Sequence, residues 1–447
     1  MDLLQKSLKM IEKHPLCNHC LGRQFALLGY GVENEERGRS IKQVLTMKAH
    51  ESSLESNNGV KALKILASNG FSETAQELLK KMKKRLASKG HKKCFLCEDR
   101  MGNIEQLAEK ASASLNEYEY NNFLVGIELP LNAEEREDEF KAEFAVDHGE
   151  NMRNEFGRLI GKKVAEQTGK PAEFMKPNVV VLVNPYNETV KLRVNPLFVA
   201  GRYRKIARGI PQSKWLCSEC RGKGCEKCNW TGKMYAESVE EIIGKPFLEA
   251  TGGARSSFHA AGREDIDARM LGAGRPYVIE IERPRRRFLD LKKLEQEINV
   301  YGKGKVEVSS LSYADKDGVR KLKKAESTQK RYRVIIEFED AVTPEDLRRL
   351  KSTLTNRMII QETPLRVLHR RADLAREKYI YDVDVKRLAP NKVEMKLRCQ
   401  GGLYVKELVT GDGGRTRPSA SQILGNKARP VKLDVLNVIM ADQNVVG

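Results

Sequence analysis

The sequence predicts an α+β protein, in which a helical N-terminal region precedes two domains that contain strands. Three features of the 447-residue chain support this prediction. Up to about residue 110, apolar residues recur at helical spacing. From about residue 120, strand-like stretches alternate with amphipathic helices. Beyond about residue 270, several alternating stretches with helices between them predict a mainly antiparallel, mixed sheet.

Residues 1–115 are predicted to form the helical region, which carries two pairs of cysteines. Its last helix can be followed residue by residue, because Ser72 is a suitable N-cap and Gly90 is a suitable end. The apolar stripe of this helix consists of Ala75, Leu78, Leu79, Met82 and Leu86. The helix would carry Cys94 towards the first cysteine pair.

Residues 116–215 are predicted to be a second domain, with a strand at 122–130 and an amphipathic helix at 154–169. NVVVLVN (178–184) and ETVKLRV (188–194) predict a hairpin. The basic segment after it contains Arg202, Tyr203, Arg204, Lys205, Arg208 and Lys214. Such a segment suits an RNA-docking surface, although a solvated basic loop would show the same composition.

A cysteine-rich linker at 216–235 separates this domain from the last one, at 236–447. The strand-like stretches of the last domain are 275–282, 305–313, 331–339, 379–386, 392–398 and 431–440. A short turn at 387–391 joins the fourth and fifth stretches, which predicts a hairpin. TPEDLRRLKSTL (343–354) is one of the helices between the strands.

The chain carries 80 Lys and Arg against 61 Asp and Glu, a net charge of +19. Such an excess favours polyanionic partners, above all nucleic acid, although a basic protein without any chemistry would share it. The sequence contains no run of about 18 apolar residues, so no transmembrane helix is predicted. The N-terminus lacks the apolar core of a signal peptide, so a cytoplasmic, reducing location without a membrane is expected.

Eight of the nine cysteines form four Cys-x-x-Cys pairs. They are Cys17 and Cys20, Cys94 and Cys97, Cys217 and Cys220, and Cys225 and Cys228. Two such turns can close a tetrahedral Zn²⁺ site, whereas a single pair could equally be idle thiols or a redox pair. Four pairs favour structural zinc. The pairs within 217–228 can share one ion locally, and the first two pairs would then share another; Cys399 is predicted to lie in the core.

Three motifs of the last domain carry candidate chemistry. GREDIDARMLG (262–272) contains two aspartates, KRYRVIIEF places Tyr332 at the start of a strand, and CQGGLYVKELV (399–409) places Lys406 between a strand and a helix. Each alone has a simpler explanation, because such residues are commonly a cap, a core residue and a surface residue.

Together the three motifs resemble the active site of pseudouridine synthases. Those enzymes carry an Arg-x-Asp motif, a tyrosine that opens a strand, and Gly-x-Tyr-Val/Ile-Lys/Arg-x-Leu. Here these correspond to Arg263-Glu264-Asp265, to Tyr332, and to residues 402–408. CNHCLGRQFALLGYGVENEERGRSIK, GREDIDARMLGAGRP and GDGGRTRPS narrow the resemblance to the "Pus ten" family, the archaeal tRNA pseudouridine(54/55) synthases, over nearly the whole chain.

The resemblance implies a THUMP-like tRNA-binding domain at 116–215 and a pseudouridine synthase fold at 236–447. It implies that Asp265 is catalytic as nucleophile or base, and that Asp267 only caps or pairs locally. The expected substrate contacts are Arg263, Tyr332, Tyr404 and Lys406. Lys406 stands where many relatives have arginine and would supply the cation that keeps the carboxylate ionised.

The implied reaction is the isomerisation of uridine to pseudouridine in the tRNA T-loop, at position 54, 55 or both, without an organic cofactor. No Gly-Lys-Ser/Thr follows the glycines of GDGGRTRPS, so no nucleotide cofactor is expected. The alternative is a non-catalytic tRNA-binding or folding factor. A THUMP methyltransferase or thiouridine synthase is the weakest candidate, because its cofactor loop is missing from the sequence.

Two further basic stretches could contact tRNA, which is expected to bind a monomer through its T-arm. ERPRRRF (282–288) has four arginines in five positions, with Lys292 and Lys293 nearby, and LHRRADLAREKY spans 368–379. Both compositions suit phosphate binding, and both equally suit solvated surfaces.

Overall fold

The structure is a computed structural model that describes residues 2–86, 92–324 and 329–439. Contacts along the chain define two compact units, Met1–Asn195 and Pro196–Gly447, here called the N-terminal and C-terminal units. Among the described residues, no helix is both long enough and apolar enough to cross a membrane. Each unit has a hydrophobic core of its own.

The N-terminal unit begins with the predicted helical region, and this unit contains further helices beyond residue 115. Its helices are α1 (Leu3–Lys13), α2 (Asn18–Gly22), α3 (Asn34–Glu55), α4 (Asn57–Ser68), α5 (Glu73–Lys81), α6 (Ile104–Leu115), α7 (Leu131–Glu143) and α8 (Met152–Thr168). Ser72 caps α5 as predicted, because its hydroxyl accepts a hydrogen bond from the Ala75 N–H at 3.3 Å. The predicted length is wrong, since α5 ends at Lys81, before the left-handed backbone of Lys83 (φ +52°). Gly90, the predicted end, lies outside the described residues.

A three-stranded sheet completes the N-terminal unit, in the order β1-β2-β3. Its strands are β1 (Phe123–Ile127), β2 (Val179–Asn184) and β3 (Thr189–Val194). β1 and β2 are parallel, with α7 and α8 in the connection between them. β2 and β3 form the predicted antiparallel hairpin. The strand–helix–strand plan read from the sequence is therefore present.

The C-terminal unit is built on a ten-stranded mixed sheet. Its strands are β4 (Leu197–Lys205), β5 (Arg255–Ala260), β6 (Arg269–Glu282), β7 (Val306–Ala314), β8 (Gln329–Phe338), β9 (Arg357–Gln361), β10 (Arg376–Ala389), β11 (Lys392–Gln400), β12 (Thr416–Arg417) and β13 (Ala428–Ile439). The order is β12-β9-β10-β11-β8-β13-β6-β4-β7, and β5 pairs with β6. Every pairing is antiparallel except β13 with β6, which confirms the predicted mainly antiparallel, mixed sheet.

The helices of this unit cover the sheet and close its core. They are α9 (Val239–Thr251), α10 (Leu291–Tyr301), α11 (Lys316–Lys324), α12 (Pro344–Leu354), α13 (Val405–Thr410) and α14 (Ala420–Leu424). α10 packs on β7 and α12 packs on β10. Alternation along β8 buries Tyr332, Val334, Ile336 and Phe338 in this core. Cys399 is fully buried there, as predicted.

The basic segment after β3 lies in a different unit from the one that the sequence predicted. It belongs to the C-terminal unit, where β4 lies inside the sheet between β6 and β7, so the boundary is at residue 195 and not at 215. Tyr203 and Lys205 are fully buried, and Arg202 donates to the carbonyls of Ala273 and Gly274 at 2.6 and 2.9 Å. Composition alone cannot show which side chains of an alternating strand face inwards. Tyr203 and Lys205 therefore hold the sheet, whereas Arg204 and Lys214 of the same segment are exposed.

A buried carboxylate ties three parts of the sheet together. Asp434 on β13 is 3% exposed and accepts hydrogen bonds from Arg208, from Arg269 on β6 and from Arg333 on β8, at 2.5, 2.9 and 2.7 Å. Burial alone would raise the pKa of Asp434, but the hydrogen bonds from Arg269 and Arg333 lower it to about 2.

A depressed carboxyl pKa stabilises the fold above the pKa of the unfolded chain. Asp434 should therefore contribute about 2 kcal/mol near neutral pH, and this contribution should disappear as the pH falls from about 4 to about 2. Urea unfolding of Asp434→Asn should show this loss at pH 7. The exposed Asp384→Asn, on β10, should lose less than about 1 kcal/mol. Equal unfolding free energies for wild type and Asp434→Asn would contradict the account.

Candidate functional site

All five predicted site residues of the C-terminal unit line one cleft of about 820 Å³. They are Arg263, Asp265, Tyr332, Tyr404 and Lys406. The loop between β5 and β6 supplies the first two, β8 supplies Tyr332, and the start of α13 supplies the last two. Segments far apart in sequence thus meet at the place that the motifs indicated.

Asp265 lies between two cations. Its Oδ2 is 3.3 Å from Lys406 Nζ and 3.3 Å from Arg366 Nη2, and its side chain is 37% exposed. The carboxylate is therefore accessible from the cleft and has two positive charges beside it.

Lys406 also holds the second aspartate of the loop. Its Nζ lies 2.8 Å from both carboxylate oxygens of Asp267. Burial raises the pKa of Asp267, but the Lys406 ammonium outweighs burial, and the pKa lies below its ordinary value. Asp267 thus pairs locally, as expected, and it is 67% exposed. One lysine bridges the two aspartates.

Backbone contacts fix the position of Lys406. After β11, Gly402 turns the chain with a φ of +89°, and Tyr404 becomes the N-cap residue of α13. The Tyr404 N–H donates to Gln361 Oε1 on β9 at 2.8 Å, and its carbonyl accepts from Gln361 Nε2 at 2.9 Å. Lys406 therefore projects from a first helical turn that is anchored to the sheet.

Sequence reasoning missed Arg366 and Glu407. Arg366 lies in a short 3₁₀ helix, Leu365–Arg370, and its Nε donates to Glu407 Oε1 at 2.6 Å. Glu407 is 4% exposed, so a buried carboxylate fixes the guanidinium that reaches Asp265. Burial lowers the pKa of Arg366, yet its carboxylate partners raise it overall. The nearest sequence signal was the arginine-rich stretch at 368–379, just after Arg366.

A buried network anchors the loop that carries Asp265. The side chain of Glu264 is 0% exposed and pairs with Arg275 on β6 at 2.9 Å. The Tyr203 hydroxyl on β4 lies 3.0 Å from both Glu264 oxygens, and Gln212 Nε2 donates to that hydroxyl at 2.7 Å. Burial raises the pKa of Tyr203, which keeps the phenol protonated as a donor.

Lys205 holds the backbone of the same loop. Its fully buried ammonium donates to the carbonyls of Ile210, Asp265 and Ile266 at 2.8, 3.0 and 3.2 Å. Burial lowers the pKa of Lys205 to about 8. The loop is therefore fixed both through Glu264 and through the carbonyl of Asp265 itself.

The three other residues predicted to contact substrate differ in exposure and in their partners. Tyr332 is 8% exposed on β8, and burial raises its pKa, so the phenol is neutral. Arg263 is exposed, and it has no hydrogen bond or ion pair to any residue that the structure describes. The Tyr404 hydroxyl accepts from Arg371 Nη1 at 2.8 Å. The cleft therefore combines an aromatic surface with exposed cations.

The eight paired cysteines form two clusters with the predicted membership. In each cluster the four Sγ atoms lie within 4.8 Å of one another. Sγ–Sγ distances of 3.7 and 3.8 Å match the edge of about 3.8 Å expected for a tetrahedron with Zn–S bonds of about 2.3 Å. Both clusters can hold a metal ion. In the first, Cys20, Cys94 and Cys97 are buried in the core of the N-terminal unit, whereas in the second Cys220 and Cys225 are partly exposed.

Two family models match parts of the chain. The sequence model described as "Pus10, C-terminal" matches residues 198–439, and "Pus10 THUMP domain, archaeal" matches residues 107–184. Among solved structures, a chain titled "Crystal Structure of a Cbf5-Nop10-Gar1 Complex" is weakly similar, with a TM-score of 0.31 and 12% identity over 54% of this chain and 50% of that one.

Curated relatives match over almost the whole chain. "tRNA pseudouridine synthase Pus10" of Methanothrix thermoacetophila is 41% identical over 98% of this chain and 94% of its own length. The protein of the same name from Methanocaldococcus jannaschii is 44% identical over 96% of this chain and 93% of its own. The chain therefore belongs to the Pus10 family of tRNA pseudouridine synthases.

Proposed function

We propose that this protein isomerises uridine to pseudouridine in the T-loop of tRNA, at position 54, 55 or both, and that Asp265 is its catalytic residue. The observation that supports this most strongly is the Asp265 carboxylate, which is open to the cleft and lies 3.3 Å from both Lys406 and Arg366. Within the described residues lining the cleft, Asp265 is the carboxylate that combines access with two cationic partners.

The chemistry requires an ionised carboxylate. The N1–C1′ bond of uridine breaks, and both of its electrons leave with the base. The carboxylate either attacks C1′ or removes a proton from C2′. The base then turns and C5 bonds to C1′; in the first route this releases the carboxylate from C1′, and in the second the carboxylic acid returns its proton to C2′. The proton on C5 is then lost while N1 gains one. Lys406 and Arg366 each lie 3.3 Å from Asp265 and fix the direction of its carboxylate.

The target base must leave the RNA stack to reach Asp265. Tyr332 offers an aromatic face for the extruded base, a contact worth about 1–3 kcal/mol. Tyr404 shapes the wall of the cleft, and the exposed Arg263 is free to bind a phosphate of the RNA backbone. The THUMP domain at 107–184 supplies a further tRNA-binding surface in this proposal.

Tritium release tests the proposal. With unmodified tRNA that carries tritium at uridine C5, the wild type should release tritium and Asp265→Ala should release none above background. Asp267→Ala should retain turnover, because it leaves the Asp265 carboxylate and both of its cations in place. Tight tRNA binding without tritium release by the wild type would instead support the non-catalytic binding factor.

Loss of Arg366 should slow the reaction of bound tRNA more than it weakens tRNA binding. Arg366→Gln removes one charge-assisted contact to Asp265, so the single-turnover rate should fall about 10- to 150-fold, with tRNA Kd changed less than about twofold. Arg366→Lys keeps the charge but loses the fork, and should lose rate by a smaller factor. Arg348→Gln on α12, which removes an exposed arginine, is the control. An unchanged rate for Arg366→Gln would refute this positioning role.

We also propose that both cysteine clusters bind structural Zn²⁺. Metal analysis of the purified protein should then find two zinc ions per chain, and one after Cys94→Ser/Cys97→Ser or after Cys225→Ser/Cys228→Ser. The first double variant should lower Tm more than the second, because its thiolates lie in a hydrophobic core. Two zinc ions remaining in either variant would contradict the assignment.

A further inference from the structure

A buried lysine of the cleft has no role in the chemistry described above. Lys330 is the second residue of β8, is 9% exposed and lines the cleft. Tyr332 lies two residues further along the strand, so both side chains point to the same face of the sheet. The Lys330 side chain therefore lines the cleft from the same face of β8 as the aromatic ring on which the extruded base is proposed to rest.

Among the described residues, the ammonium of Lys330 has none of the acceptors that other buried lysines have. Lys205 donates to three carbonyls, and Lys42 in the N-terminal unit donates to Leu16 O and Asn18 Oδ1. The backbone of Lys330 pairs within the sheet, but its ammonium has no hydrogen bond or ion pair to a described residue. An ammonium that lines the cleft without an acceptor from the described residues is available to a ligand bound there.

The groups around Lys330 do not neutralise it. Arg275 and Lys378 carry the same charge, and the carboxylate of Glu264 is already paired with Arg275. Burial raises the pKa of Cys399 to about 12, so this thiol is neutral. Burial first, and then Arg275, lower the pKa of Lys330 to about 8. The part of the cleft around Lys330 therefore carries positive charge that favours binding of a negatively charged group.

We propose that Lys330 stabilises the uracil anion that forms when the N1–C1′ bond breaks; this inference rests on the proposed function. The electron pair of that bond passes to the base, and the negative charge spreads over N1, O2 and O4. It is consumed when C5 bonds to C1′, after which C5 loses its proton and N1 gains one. A fixed cation aimed at developing charge lowers the barrier to its formation.

A phosphate is the other acceptor that an ammonium could take from RNA. Arg263 and Arg371 line the same cleft and are exposed, where a charged RNA backbone can reach them without being buried. Lys330 lies instead next to the buried Tyr332. The base anion, which forms only after cleavage, is the acceptor that suits this position.

The first test separates binding from chemistry. Lys330→Met should lower the single-turnover rate about 100-fold, with tRNA Kd within about twofold of the wild type. Lys330→Arg should retain most of the rate. The control is Lys386→Met, which removes an exposed lysine of β10. Thermal unfolding of each variant shows whether it is folded, and Lys330→Arg keeps the proposal testable if Lys330→Met is not.

The second test changes the leaving group. Fluorine at C5 draws electrons from the ring and stabilises the anion, so tRNA with 5-fluorouridine depends less on a protein cation. Consumption of the target nucleoside, measured after digestion, should then show a deficit for Lys330→Met about tenfold smaller than with uridine.

The outcomes separate a failure of the role proposed for Lys330 from a failure of the proposed function. Equal deficits on both substrates, an unchanged rate, or a loss confined to Kd would overturn the role of Lys330, and the last would indicate a phosphate contact. Failure of the wild type itself to convert uridine would instead overturn the proposed function.

Discussion

The site depends on the buried ion pair between Glu264 and Arg275. Neither side chain is more than 1% exposed, and the pair is extended by Tyr203 and Gln212. Breaking such a pair by removing one partner costs about 3–5 kcal/mol, because the other charge stays buried. The pair fixes the loop between β5 and β6 to two strands of the sheet. As a result, the next residue, Asp265, enters the cleft in one position.

Opposite charges then alternate around Asp265. Lys406 bridges Asp265 and Asp267, and Arg366 bridges Asp265 and the buried Glu407. Each cation also contacts a second carboxylate, and the anchored first turn of α13 holds Lys406 in place. This arrangement leaves the Asp265 carboxylate accessible with two cations beside it, which suits nucleophilic or base chemistry. Because Arg366 supplies a second cationic contact to Asp265, Lys406 does not have to form the bidentate contact of an arginine.

The sequence predicted the cleft well, because the groups that face substrate lie in short motifs. Arg263, Asp265, Tyr332, Tyr404 and Lys406 meet as the motifs indicated. The supporting groups were harder to find. The sequence predicted that Tyr203 and Lys205 belong to a basic surface segment, because no sequence pattern marks a buried lysine that donates to carbonyls. Arg366 and Glu407 are far apart in sequence, and only the folded chain brings them together.

The central claim is that Asp265 acts on a uridine extruded into this cleft. A crystal structure of Asp265→Asn bound to a tRNA T-arm hairpin would test it most directly. The account predicts a flipped uridine against Tyr332, with C1′ and C2′ within contact distance of the side chain at position 265. A T-loop whose uridines remain stacked, or a uridine bound away from this side chain, would contradict it.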